Sequence, residues 1–360
     1  MKTALLIPCY EPSENVISYL KTFKGNEFDY YVVVNDGSGE EYDSIFNRIE
    51  KETVFDLFSY KVNKGKGGAL KAGFNHILNI DPAVGYIVTC DSDGQHAYED
   101  VIRVKEKAVE SVDHLVIGTR QFDKKEVPLR SRVGNNFSKL YFKLVTKVNC
   151  LDTQTGLRAI PNRLFDLALY LPGSRFEYEM NFLIQAVREV PLDQVAIKTI
   201  YEEKGKHVSH FKTLKDSYLI YRTPIWYILV SLISFGIDFL LFTLLSSYVF
   251  TSSSESQVFL SNLIARITSG AFNFLMLNFF VFKTKGDIAS KSIKYWGLWI
   301  INYGVGSGLT YLFKFLPMAL YFIKVIIDAV IAIINYIINL TFVFTKRKIK
   351  SRHIKERKVA

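Results

Sequence analysis

The chain is expected to fold as an α/β domain on a largely parallel sheet, followed by an all-α domain of four transmembrane helices. Three observations carry that expectation. Up to about residue 213, short apolar runs ending in polar residues alternate with helical patterns. Residues 224–344 are dominated by Leu, Ile, Phe, Tyr and Val, with scattered charges. Within them lie four apolar stretches, each near the ~20 residues that a helix needs to cross hydrocarbon.

The runs 4–7, 30–34, 86–89 and 115–117 read as strands buried on both faces, as a parallel sheet requires. Between them, 14–23, 68–78 and 98–109 carry helical spacing, and such alternation implies right-handed crossovers. Ligands of these sheets bind beyond the carboxyl ends of the strands. The four runs are followed by Pro8-Cys9-Tyr10-Glu11, Asn35-Asp36-Gly37-Ser38, Asp91-Ser92-Asp93-Gly94-Gln95 and Gly118-Thr119-Arg120. Acidic and small residues therefore converge on one edge.

Asp91 and Asp93 can share a hard divalent cation with a bound diphosphate, and Gln95 offers a third oxygen. The same segment also suits a solvated turn. Asp36 can accept hydrogen bonds from a base or ribose, with Gly37 allowing close backbone approach, or it can cap a helix. Asn63-Lys64-Gly65-Lys66-Gly67-Gly68 precedes a helical run, where glycines and lysine suit a phosphate. It lacks the Walker A spacing, and no GxGxxG follows a strand, which weakens a dehydrogenase reading. Arg120, Arg130 and Arg132 surround Val127-Pro128-Leu129. Their guanidinium forks suit a phosphate near a membrane surface, and they suit an exposed basic loop equally well.

The membrane stretches are 224–248, 258–282, 296–316 and 320–344. The first two are separated by Thr251-Ser252-Ser253-Ser254-Glu255-Ser256, the next by a segment holding Lys283, Lys285, Lys291 and Lys294. With the basic tail 347–360, the positive-inside rule puts both termini in the cytoplasm. The expected division is a cytoplasmic domain 1–210, an interfacial helix 211–223, a membrane domain 224–346 and the tail. Residues 135–148 also fit an interfacial helix, or an ordinary surface helix. Asn273-Phe274 and Phe280-Val281-Phe282 recur as Asn335-Tyr336 and Phe342-Val343-Phe344, a weak repeat suggesting two stacked hairpins. Asp238, Arg266 and Asp328 lie within or near these helices, where charges are usually paired or functional; Arg266 is expected near a headgroup.

Much of the net charge of +10 sits in the tail, where anionic lipids favour it, and no basic–aromatic module for nucleic acid is visible. Cys9, Cys90 and Cys150 form no CxxC pair, which argues for a reducing compartment without a disulfide framework or zinc site. The first apolar run is too short for a signal peptide and ends at Pro8.

Taken in order, five segments resemble the family 2 glycosyltransferases of GT-A (Rossmann-like) fold, closest to the dolichyl- and undecaprenyl-phosphate sugar synthases. They are Ile7-Pro8-Cys9-Tyr10-Glu11, Val34-Asn35-Asp36-Gly37-Ser38, Asn63-Lys64-Gly65-Lys66-Gly67, Asp91-Ser92-Asp93-Gly94-Gln95-His96 and Asp152-Thr153-Gln154-Thr155-Gly156-Leu157-Arg158. Phe176-Glu177-Tyr178-Glu179-Met180 resembles the family's later acidic motif. The resemblance implies that Pro8, Tyr10, Glu11 and Asp36 line a nucleoside pocket, and that Asp91, Asp93 and Gln95 hold Mg2+ or Mn2+. It sets Lys66 toward donor phosphate, Arg120 and Arg132, with Arg130 nearby, toward a lipid phosphate, and Asp152, Gln154 and Thr155 toward the sugar. Cys9 stands where threonine or alanine is usual, and the Gln-x-x-Arg-Trp motif of processive synthases is missing. The second half resembles GtrA-like four-helix membrane proteins, an anchor or a carrier of product.

The implied reaction passes a hexose from a UDP- or GDP-linked sugar to a polyprenyl phosphate, with inversion. A Lys-, Ile- and Asn-rich composition points to a bacterium and to undecaprenyl phosphate. Asp152 or Glu179 as a base stays open, as do a hydroxyl acceptor on another lipid, a transporter or flippase with a nucleotide-sugar-sensing domain, and homo-oligomerisation.

Overall fold

The structure is a computed structural model in which residues 1–120, 129–198, 213–249, 255–284, 287–313 and 320–344 are described. The chain divides into two compact units, Met1–Ile220 and Tyr221–Lys348.

The first unit holds seven strands: β1 (Thr3–Cys9), β2 (Tyr30–Asp36), β3 (Asp56–Tyr60), β4 (Tyr86–Thr89), β5 (Leu115–Arg120), β6 (Arg158–Pro161) and β7 (Leu192–Ile197). They form one sheet in the order β3-β2-β1-β4-β6-β5-β7. Only β6 runs antiparallel to its neighbours, so the sheet is mixed, with parallel pairing dominant as expected. Leu5, Leu6, Ile7, Val32, Val33 and Val34 are all fully buried, so successive side chains on both faces are covered. The covering helices are α1 (Asn15–Leu20), α2 (Asp43–Glu52), α3 (Lys66–Ile80), α4 (Tyr98–Glu110), α5 (Leu129–Thr146), α6 (Phe165–Tyr170) and α7 (Phe176–Ala186). On α5, Phe142 and Val145 are buried while Leu140 and Leu144 are exposed, so apolar residues occupy two faces.

The second unit takes α8 (Thr213–Leu244), which begins in the first unit, with α9 (Glu255–Met276), α10 (Ile288–Leu312) and α11 (Leu320–Ile338). Helices α8, α9 and α11 end in π turns, Leu245–Val249, Leu277–Val281 and Asn339–Val343. Against four spans expected, two segments among the described residues are long and apolar enough to cross a membrane, Arg222–Val249 and Ser256–Val281. The sequence repeat has a structural counterpart: Phe282 stacks on Phe344 with centroids 5.0 Å apart, and Phe274 lies 5.9 Å from Phe344. Arg266 Nε lies 3.6 Å from Asp238 Oδ2, so two of the three charges noted in these helices are paired with each other. The tail 347–360 and the start of the 211–223 segment lie outside the described residues, as does the side chain of Asp328.

Candidate active site

Parallel strands that start together also end together, so the ends of β1, β2, β4 and β5 bring their following residues to one sheet edge. Asp36 closes β2 at 2 % exposure. Register places Tyr60, at the end of β3, opposite it. The Tyr60 hydroxyl donates to Asp36 Oδ1 at 2.5 Å, the Lys64 amide donates to the same oxygen at 2.9 Å, and Asn63 Nδ2 donates to Oδ2 at 3.2 Å. Asp36 thus pins the loop that enters α3. Burial and the Asp36 carboxylate together push the Tyr60 phenol well above its usual range.

Gly37 sits at φ 68°, and a Cβ there would lie 2.4 Å from the Asn63 nitrogen, so the turn after β2 requires glycine. The neighbouring turn is tied by Ser38, whose Oγ accepts the Glu11 amide at 2.9 Å. Glu11 itself has φ 46°, an uncommon conformation for a residue with a side chain. A hydrogen bond to Glu11, with burial adding, raises the Tyr10 phenol to about 12. Pro8 is partly buried within β1.

At the centre of the edge, Lys66 in the first turn of α3 bridges two carboxylates, Asp91 Oδ1 at 2.6 Å and Glu179 Oε2 at 3.0 Å. Burial alone would lower its pKa, but the two carboxylates outweigh burial and hold the ammonium charged. Burial opposes the charge on Asp91, yet Lys66 and His96 hold its carboxyl well below the usual range. His96 Nε2 lies 3.3 Å from Asp91 Oδ2. Asp93 is shifted the other way, first by burial and then by the charge of Asp91. The Gln95 amide donates to Asp93 Oδ1 at 3.0 Å, shaping the turn. The Gly68 amide, in the glycine-rich segment read as a phosphate loop, donates to the Ser174 carbonyl at 2.8 Å.

The loop before β6 supplies the other wall. Asp152 is 0 % exposed and accepts Arg120 Nε at 2.7 Å and Nη2 at 3.2 Å, a two-pronged pair that fixes the guanidinium plane. The Gln154 amide donates to Asp152 Oδ1 at 3.1 Å, and Thr155 Oγ1 accepts the Leu157 amide at 3.2 Å. A Cβ on Gly156 would lie 2.4 Å from the Asp91 carboxylate, so this glycine makes room for Asp91. Buried Arg158 donates to the Thr155 carbonyl at 2.9 Å and the Glu179 carbonyl at 2.9 Å, joining the loop to α7.

The structure therefore gathers Lys66, Asp91 and Glu179 with Asp93 close by, pairs Arg120 with Asp152, and sets Asp36 at the neighbouring strand end. Arg130 and Arg132 fall in the first turn of α5, where their side chains are outside the described residues. Sequence reasoning assigned no role to Tyr60 or Arg158; the signal for Tyr60 is the parallel register that sets it against Asp36.

Residues 5–169 match the family model described as glycosyl transferase family 2, and residues 226–344 match that of the GtrA/DPMS transmembrane domain. An uncharacterised protein of Methanocaldococcus jannaschii is 32 % identical over 204 residues, 55 % of this chain and 82 % of that one. The UDP-N-acetylglucosamine–dolichyl-phosphate N-acetylglucosaminyltransferase of Methanococcus voltae is 28 % identical over 55 % of this chain and 86 % of its own length. An undecaprenyl-phosphate 4-deoxy-4-formamido-L-arabinose transferase of Enterobacter is 25 % identical over 47 % and 51 %. Among solved structures, the glucosyl-3-phosphoglycerate synthase of Mycobacterium tuberculosis, crystallised with Mn2+, UDP and glucosyl-3-phosphoglycerate, is 17 % identical. It covers 64 % of this chain and 79 % of that one with a TM-score of 0.44.

Proposed function

The chain belongs to glycosyl transferase family 2, among the enzymes that load sugars onto dolichyl or undecaprenyl phosphate, fused to a GtrA/DPMS transmembrane domain, and on that premise we propose that it transfers a hexose from a UDP- or GDP-linked sugar to a polyprenyl phosphate at the cytoplasmic face. The observation that carries this reading is the Lys66–Asp91–Glu179 cluster beside Asp93, a charged group built for a diphosphate at the carboxyl edge of the sheet.

A divalent cation fits these residues. The donors are carboxylate and amide oxygens from Asp91, Asp93 and Gln95, which suit Mg2+ or Mn2+, and Gly156 leaves space for the Asp91 carboxylate. Among the described residues no cluster of three or more His, Cys, Asp or Glu side chains could hold a metal, so an ion here would need further oxygens from the diphosphate. When bound, the ion supplies positive charge against the leaving nucleoside diphosphate.

The chain's own groups do the rest. Asp36, through the Asn63–Lys64 loop, together with Pro8, Tyr10 and Glu11, shapes the nucleoside pocket. Lys66, held charged by its two carboxylates, neutralises donor phosphate. Gln154 and Thr155 border the sugar. Arg120, its plane fixed by Asp152, orients the acceptor phosphate. That phosphate has a second pKa of about 6 and is largely ionised near neutrality, so it needs no strong base. Its oxygen forms a bond to the anomeric carbon as the bond to the diphosphate oxygen breaks, and the electron pair leaves with the nucleotide. The configuration inverts, and catalysis rests on alignment and charge neutralisation.

The test is transfer of label from UDP-glucose, UDP-N-acetylglucosamine or GDP-mannose to undecaprenyl phosphate by the purified chain with Mg2+. Label in the lipid, lost in Asp93→Ala and with EDTA, is the expected result. No transfer from any donor, with polyprenyl acceptors of other lengths also inactive, overturns the proposal.

A further inference from the structure

Asp91 is claimed twice at the sheet edge. A divalent cation held there takes it as a ligand, yet its Oδ1 accepts the Lys66 ammonium at 2.6 Å and its Oδ2 lies 3.3 Å from His96 Nε2. An ammonium and a divalent ion crowded against one carboxylate repel each other at close range. The ion and Lys66 therefore compete for Asp91.

The two carboxylates are fixed, and the lysine is the part that can move. Asp91 packs against Gly156, where a Cβ would lie 2.4 Å from it. Glu179 lies in the first turn of α7, and the start of α7 is locked onto the start of α3. A Cβ on Gly67 would lie 2.5 Å from Tyr178 Cβ, and the Gly68 amide donates to the Ser174 carbonyl at 2.8 Å. Arg158 holds the Glu179 carbonyl from the side of β6 at 2.9 Å. These two glycines thus serve helix docking, and the lysine between Gly65 and Gly67 is left to meet charge. Its ammonium ends a flexible four-carbon stem, and its side chain is 18 % exposed.

The charges call for paired entry. Asp91, Asp93 and Glu179 bring three carboxyl groups to the edge, and Lys66 bridges two of them. A divalent ion alone adds positive charge beside the ammonium, and a nucleoside diphosphate alone adds negative charge beside the carboxylates. Together they cancel, and phosphate oxygens accept the ammonium that the ion turns away from Asp91. Glu179, 3.0 Å from the ammonium, keeps its hold, so Lys66 pivots about that contact.

We propose that Lys66 couples the cation to the donor: its ammonium holds Asp91 until a nucleoside diphosphate takes it over, so cation and nucleotide bind as a pair and the cation alone binds weakly. The proposal rests on the transferase reading for the cation and the diphosphate. The test measures Mn2+ binding to the full-length chain in detergent, by loss of the free-ion electron paramagnetic resonance signal, with and without UDP and, in parallel, GDP. In the wild type, nucleotide tightens Mn2+ binding, and Mn2+ tightens nucleotide binding by the same factor, as linkage requires. Lys66→Met is expected to tighten Mn2+ binding about tenfold without nucleotide, a usual size for coupling between sites, and to weaken nucleotide binding. Lys66→Gln, which keeps hydrogen-bond donors for the carboxylates, serves if the apolar chain does not fold, with the same shifts expected. A lysine that only binds phosphate, or only supports the fold, does not give these opposite signs. Lys64→Met removes an ammonium that lies over the Tyr60 ring, 4.3 Å from its centroid, and is expected to leave Mn2+ binding unchanged. Mn2+ binding without nucleotide that is unaltered or weaker in both Lys66 variants overturns the proposal. An equal rise in Lys64→Met also overturns it, assigning the effect to net charge. Sugar transfer by the same wild-type sample keeps the two readings apart. EDTA-sensitive transfer with Mn2+ binding indifferent to Lys66 sinks the coupling and leaves the enzyme; the Lys66 shifts without transfer to any acceptor do the reverse.

Discussion

Replacing Asp152 with asparagine separates two roles that its place at the sheet edge permits. The carboxylate is fully buried and holds Arg120 through two contacts, at 2.7 and 3.2 Å, and the Gln154 amide at 3.1 Å. Asparagine keeps the volume and one carbonyl oxygen but turns an amine against the guanidinium, so at least one charge-assisted bond is lost. Such bonds contribute about 1.5–3 kcal/mol. The Arg120 side chain is 23 % exposed and regains part of its hydration, so the expected loss of stability is about 1–2 kcal/mol. If Asp152 serves to position Arg120, the KM for lipid phosphate rises and kcat falls about tenfold, with the pH profile unchanged in shape. A general base at this position would contribute about 10^2–10^4-fold and would impose an acidic limb on the profile. Initial rates against pH, with the unfolding midpoint of the same sample, decide between the two. A loss of that larger size at unchanged stability, with disappearance of the acidic limb, refutes the positioning role.

Three further outcomes are expected. Gly37→Ala forces a side chain into a left-handed turn against the Asn63 backbone, and strain of about 1–3 kcal/mol should appear as a lowered unfolding midpoint and a raised donor KM. EDTA should stop transfer, and Mg2+ or Mn2+ should restore it in the wild type but not in Asp93→Ala; metal-independent turnover would remove the cation from the proposal. At Glu27, burial raises the carboxyl pKa, but hydrogen bonds from Tyr31, the Lys24 amide and Tyr98 outweigh it and bring it from 4.5 to about 2. The folded state therefore binds this proton less readily than the unfolded chain. The contribution is full above about pH 4.5 and lost as pH falls toward about 2, so Glu27→Gln should flatten part of the decline in thermal midpoint over that window.

The strands legible in the sequence are those buried on both faces: β1, β2, β4 and β5 are runs of Leu, Ile and Val because each is covered on both sides. Strand β3, Asp56-Leu57-Phe58-Ser59-Tyr60, lies at a sheet edge with Asp56 and Ser59 exposed, and its alternation is too short to stand out. Strand β6 carries a buried arginine, Arg158, which reads as polar until its carbonyl partners are known. The site shows the same division. Asp91 and Asp93 announce themselves by spacing along one strand end, but the cation that sets the charge of Asp91 comes from elsewhere: Lys66 of α3, itself shared with Glu179 of α7. Arg120 read as part of a basic cluster with Arg130 and Arg132, whereas its carboxylate partner lies 32 residues away.

In the membrane half, the average hides what matters. A window long enough to detect a span counts Ser234, Asn273, Asn335 and Asn339 as small dents in an apolar run, because each is surrounded by Ile, Leu and Phe. Helical geometry turns those isolated residues toward one interior while their neighbours meet lipid, so a polar cavity arises from sequence that looks uniformly apolar. The repeat gave the one advance sign. Asn273 and Asn335 recur at matching places, and an amide retained in both hairpins is costly to hold in an anchor that has only to be greasy. Hydrocarbon alone would be satisfied by leucine at either position. Among the described residues the Oδ1 atoms of Asn335 and Asn339 accept no hydrogen bond, so the chain's own donors meet only part of the cost of carrying these amides inside an apolar unit.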